Sequence, residues 1–108
     1  MSFIATENKG FGMTFDNGFT ISIQWGTMNY CEKKNLMAEY KGEIKEPIWE
    51  SKSAEIAVFD TEGEIVPLEV YDQVKGWLTP NEVAKVIAIV ADADHDDEII
   101  DKIKSLKI

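Results

Sequence analysis

Apolar and polar positions alternate from residue 11 to residue 25 on either side of one polar turn. Phe11, Met13 and Phe15 fall on one face before the Asp16-Asn17-Gly18 turn, and Phe19, Ile21, Ile23 and Trp25 fall on it afterwards. Period two marks half-buried strands, so the stretch predicts a β-hairpin. A two-residue Asn-Gly loop sets Phe15 opposite Thr20 and Met13 opposite Ser22, which mixes the faces. A three-residue loop pairs Phe15 with Phe19, Met13 with Ile21 and Phe11 with Ile23, and keeps one face apolar. It asks Gly18 to take a positive φ as the bulge residue, which glycine does without strain. The opposite face then carries Gly12, Thr14, Thr20, Ser22 and Gln24, all small or uncharged.

A second hairpin is predicted over residues 54 to 70. "AEIAVFD" reads as a strand, "DTEG" as a turn and "EIVPLEV" as the return, with Val58 opposite Val66 and Ile56 opposite Leu68. Pro67 has no N–H for a ladder, so the return strand lies at an edge or breaks there. The C-terminal third changes period. In "TPNE", Thr79 is an N-cap, Pro80 sits at N1 and Glu82 completes a capping box. Val83, Val86, Ile87 and Val90 then form a helical stripe. Continuing that helix would put Asp94, Asp97 and Asp101 on the stripe, so a break belongs at residues 92 to 96. A second helix follows, presenting Ile99, Ile100, Ile103 and Leu106, with acids at its start and lysines toward its end. The pattern is an α+β domain: an antiparallel sheet of two β-hairpins, covered on one face by C-terminal helices.

Residues 32 to 53 fit neither period. This Lys/Glu-rich segment is interrupted by Gly42 and Pro47 and reads as a long connection, a mobile solvated loop in preference to a lid. The chain of 108 residues is expected to fold as a single domain over residues 1–108. No apolar run approaches the ~20 residues of a membrane helix, and the start, "MSFIATENKG", has no signal-peptide character. Cys31 stands alone, which fits a reducing compartment. The expected location is therefore cytoplasmic, with no membrane partner.

Charge narrows the function classes further. The net charge is −9, and all eleven cationic side chains are lysines. Without arginine or a basic patch, nucleic-acid binding is not expected. A small anionic ligand held by lysines and backbone N–H groups stays open. So does homo-oligomerisation, through the outer sheet face or a free strand edge.

The residues offer little catalytic equipment. "DADHDDE" (Asp92 to Glu98) starts like a calcium loop, but Asp97 replaces the glycine and Ile103 the bidentate Glu that such a loop needs. An inter-helix turn with acidic N-capping explains it, and no metal site or cofactor is expected. Cys31 and His95 are the minimum for a thiol hydrolase, an alternative that requires them to meet in space. "GFG" at Gly10 to Gly12 precedes a strand rather than a helix, so it is no phosphate loop; Gly12 marks a bulge or a close backbone approach. The binding candidates are the small polar face, Thr14, Thr20, Ser22 and Gln24, and the aromatic exit, Trp25, Asn29 and Tyr30, together with Trp49 and Trp77. Trp25 also continues the core stripe, and Trp77 stands at the entrance of the capped helix.

The blocks "GMTFDNGFTISIQWGTMNYC", "SKSAEIAVFD" and "DQVKGWLTPNEVAKVI" resemble, in their order, a group of small uncharacterised proteins encoded by tailed bacteriophages and prophages. The resemblance spans about two thirds of the chain and carries no catalytic residue across. It implies an accessory protein acting in the host bacterial cytoplasm. The leading expectation is a non-enzymatic protein that binds a host protein, as a counter-defence inhibitor does. The first alternative is a small-molecule binder that sequesters a nucleotide-type defence signal. The second is the Cys31-dependent hydrolase.

Overall fold

The computed structural model of the chain describes residues 1–6, 10–26, 29–32 and 50–108. Trp49 and most of the 32–53 connection therefore lie outside the described residues. Five strands, β1 (Ser2–Thr6), β2 (Gly10–Thr14), β3 (Thr20–Gln24), β4 (Ala54–Phe59) and β5 (Lys75–Leu78), precede two helices, α1 (Pro80–Asp92) and α2 (Asp96–Ser105). The strands form one antiparallel sheet in chain order. The fold is α+β, with both predicted helices present.

The first hairpin has the register that keeps its faces apart. Met13 stands opposite Ile21 and Phe11 opposite Ile23. Phe15 N–H donates to Phe19 O at 2.9 Å, and Gly18 takes φ 90° in the three-residue loop. One further strand, β1, extends this pair on the outside. Its Ile4 lies opposite Gly12, whose ladder pairs are unbroken on both sides. Gly12 is therefore a close approach and not a bulge: a side chain there would meet Ile21 O and the Ile4 side chain.

The second hairpin starts as predicted and then departs from it. Val66 N–H donates to Val58 O at 2.8 Å and Phe59 bridges Ile65. Pro67 ends that pairing. Ile56 stands opposite Lys75 rather than Leu68, because β5 takes over the edge of β4. Leu68 is still buried, tucked under the sheet by the short loop between the two partners of β4.

The core forms between the inner sheet face and the helices. Ile21, Ile23, Ile56, Val58 and Leu78 meet Val83, Val86 and Val90 of α1 and Ile99 and Ile103 of α2. The predicted stripe is the buried one. Thr79 caps α1 with the full reciprocal box: Glu82 N–H donates to Thr79 Oγ1, and Thr79 N–H donates to the Glu82 carboxylate at 2.8 Å. The break falls at residues 93 to 95, as the acidic positions demand. The cap of α2, however, is His95, which makes no side-chain cap bond. Asp96, Asp97 and Glu98 occupy the first turn, where the helix dipole favours them without capping.

Candidate functional site

Side chains on the outer sheet face can be read off the register. Thr14 stands opposite Thr20, and Thr20 opposite Phe59; Gly12, Ser22 and Ala57 form the next row; Gly10, Gln24 and Glu55 form the third. Thr14 and Thr20 share a hydroxyl hydrogen bond of 2.8 Å, and Gln24 Nε2 donates to Ser22 Oγ at 3.0 Å. Most of the polar face predicted from the sequence is thus one connected surface, with its hydroxyls engaged in pairs.

That surface continues into the aromatic exit through Glu55. Asn29 Nδ2 donates to Gln24 Oε1 and to Glu55 Oε1, both at 3.3 Å. The side-chain oxygen of Asn29 accepts from Gly26 N–H at 3.0 Å, tying Asn29 to the end of β3. Glu55 Oε2 accepts from Tyr30 N–H at 2.8 Å. A carboxylate receiving a backbone N–H is a strong, charge-assisted contact, so Glu55 fixes the position of Tyr30. Glu55 is not among the residues the sequence singles out; its place beside Gln24 depends on the β3–β4 register, which no local signal encodes.

Tyr30 in turn packs on β5. Its Cβ occupies the space where any side chain at residue 76 would sit, so only glycine is accommodated there. Its carbonyl accepts from Trp77 N–H at 2.9 Å. Between the pairs Ala54–Leu78 and Ile56–Lys75, Glu55 faces both Gly76 and Trp77, which makes a β-bulge. Trp77 takes φ 62° there, a conformation that costs a bulky L-residue about 1–2 kcal/mol. Trp77 is 57% exposed, and Tyr30 is 41% exposed. A strained tryptophan held outward, beside a tyrosine anchored by a carboxylate, is a built aromatic surface.

The remaining candidates separate from this surface. Trp25 lies on the inner side, in a T-shaped contact with Phe11 (centroids 6.5 Å apart, planes at 69°), and packs against the core. It lines a hollow of about 370 Å³ between the sheet and α1, with Ile23, Leu78, Val83 and Ile87. Its Nε1 is buried with no hydrogen-bond partner among the described residues. Cys31 is fully buried, and its thiol donates to Gly26 O at 3.5 Å, beyond the C-terminal end of β3. His95 belongs to the opposite end, two residues from Ala93, whose carbonyl bonds to Asn17 in the turn before β3. The length of β3, about 16 Å, separates the two, so they form no nucleophile–base pair. Among the described residues no three His, Cys, Asp or Glu side chains gather as a metal-binding group, and no helix is long and apolar enough to cross a membrane.

Asn17 is the other residue whose role no sequence signal marks. Its Nδ2 donates to the carbonyls of Val90, Ala91 and Ala93 at 2.9, 3.2 and 2.8 Å, and its Oδ1 accepts from Phe19 N–H at 3.0 Å. It is a structural clasp, at the far end of the sheet from the aromatic surface.

The chain matches no protein-family model, no curated protein and no solved structure, so the role of this surface has to be read from its own geometry.

Proposed function

We propose that this chain is a non-enzymatic binding protein, an accessory protein of the bacteriophage type, and that its target is a host protein engaged through the Tyr30–Trp77 surface. One observation carries the reading: Trp77 is held at φ 62° with more than half of its surface exposed. Folding gains no net stability from a strained indole that is more than half exposed, and such strain collects where a surface has a task. Tryptophan and tyrosine are also the side chains that dominate protein–protein contacts when buried by a partner. The acidic chain suits a target with a basic rim, which would speed encounter. Blocking a host defence enzyme is the role that this combination and the phage-like block order support.

The experiment is affinity capture from host lysate with wild type, Trp77→Ser and Tyr30→Ala, followed by a titration of the captured protein. Wild type should retain one specific partner at moderate salt, and Trp77→Ser should weaken it by about 100-fold or more, the scale of an interface hot spot. Equal retention by all three, or no specific partner at any salt, rejects the proposal.

Sequestration of a small anionic signal is the weaker reading. Glu55 stands in the centre of the polar network and would repel an anion, and the threonine hydroxyls already bond each other.

A further inference from the structure

We infer that β1 is a docking edge for a second copy of this chain, joining two five-stranded sheets into one continuous sheet about a two-fold axis. Among the described residues, β1 pairs with β2 on one side and with no strand on the other. Exposed edges are normally blunted by lysine, proline or a bulge. The opposite edge shows such devices: β5 carries Lys75 and the Gly76–Trp77 bulge. Ser2-Phe3-Ile4-Ala5-Thr6 has none of them, and its ladder with β2 is regular over all five residues.

Ser2, Phe3, Ile4 and Ala5 are exposed where a sheet should be covered. Phe3 shares the inner face with Met13, yet it is 80% exposed, because α1 packs on β3 and β4 and stops short of this edge. Met1, Phe3, Met13, Phe15 and Ala91 border an open hollow of about 340 Å³ beside it. Among the described residues, Asp16 is the one charged side chain that borders this hollow, and the strands themselves carry no charge. The chain is 29% charged, but β1, β2 and β3 contain no charged residue at all. Two copies of a −9 chain can therefore approach here without setting like charges against each other.

The sequence of β1 selects a second copy over an unrelated strand, because it is complementary to itself. Antiparallel pairing centred on Ile4 sets Ile4 against Ile4, Phe3 against Ala5 and Ser2 against Thr6. Each large side chain on the inner face then meets a small one, and each hydroxyl on the outer face meets a hydroxyl. Isologous pairing of this kind closes at two subunits. A joint of five residues a side sits at the small end of specific interfaces, below about 1,200 Å², so the dimer should form and separate with concentration. Added salt should favour it, by screening the repulsion between the charged remainders of the two copies.

Cysteine trapping in the full chain tests both the edge and the register. Residues directly opposite in an antiparallel pair have Cα atoms about 4.5–5.5 Å apart, within disulfide range. Ile4→Cys should therefore cross-link to itself under mild oxidation. Ser2→Cys alone should not, since its own copy lies about 13 Å away along the strand. A mixture of Ser2→Cys and Thr6→Cys should cross-link as a heterodimer. Wild type, whose Cys31 is fully buried, is the baseline. In native mass spectrometry and sedimentation, Ile4→Lys should shift the chain to monomer, and mixing it with Ile4→Glu should restore dimer. A wild type that stays monomeric across the dilution series, an Ile4→Cys no more cross-linked than baseline, or equal trapping of Ser2→Cys alone overturns the inference.

Discussion

At Asn17 one carboxamide joins the β2–β3 turn to the end of α1. Its oxygen serves the turn, and its NH₂ serves three carbonyls at the end of the helix, where the intrahelical ladder runs out. Local turn chemistry alone would rank Asp and Asn equally here, since both accept from Phe19 N–H. The structure separates them. Asn17→Ala should cost about 1–3 kcal/mol in urea unfolding, the scale of stranded part-buried polar groups. Asn17→Asp should cost more at neutral pH, because it sets a carboxylate against carbonyls at the negative end of the α1 dipole. An Asn17→Asp chain as stable as wild type would show that the clasp contributes nothing. At Trp77 two effects of similar size oppose each other. Glycine relieves about 1–2 kcal/mol of backbone strain but forfeits the packing of the covered part of the indole. Trp77→Gly should therefore shift stability by less than about 1 kcal/mol while abolishing partner binding, a split that thermal melts and capture assays read separately. The turn glycine and the apolar alternation are legible in the sequence because they are local. The clasp of Asn17 and the anchor at Glu55 are not, because each acts on residues that only the fold brings near.

Among the elements, α1 is the one whose sequence and structure agree most fully: its cap is the predicted one, and of the predicted stripe only Ile87 is part-buried. Thr79→Ala should lower stability by about 1 kcal/mol, the usual cost of a lost N-cap. The Glu82 half of the box adds a pH signature. The backbone and side-chain bonds to Thr79 hold the Glu82 carboxyl below its ordinary value of 4.5. A lowered folded-state pKa contributes stability that is complete above the unfolded value and lost as pH falls through the folded one. The gap in stability between wild type and Glu82→Ala should thus be constant from neutral pH down to about 5 and shrink at more acid pH. A gap that widens on acidification contradicts this sign. The strands are less evenly legible. β2, β3 and β4 alternate cleanly, whereas β5 is "KGWL", in which glycine and a bulge erase the period. β1 carries no signal of its own, because "SFIAT" has too few positions to show a period and no turn residues beside it in the strand. Pairing with β2 defines it.

For the molecule as a whole, the two edges of the sheet have opposite characters. One ends in the bare, uncharged β1, and the other in β5 with its aromatic surface. Pairing through β1 would leave a Trp77 surface at each far end of a ten-stranded sheet, and such a particle gains avidity only for a target presented in two copies. Chain order and strand order coincide, so each strand can pair with the one just before it and the sheet needs no crossover. That simplicity has a cost during folding. All five strands, with the apolar inner face of the sheet, precede residue 80, and the helices that cover that face come last. Until α1 and α2 dock, the chain is an uncovered sheet with a bare edge, the kind of intermediate that associates with itself. The two helices are therefore what withholds that face from solvent. A fragment ending at residue 79 should precipitate, and adding the segment 80–108 as a separate peptide at the start of refolding, but not after it, should keep the fragment in solution.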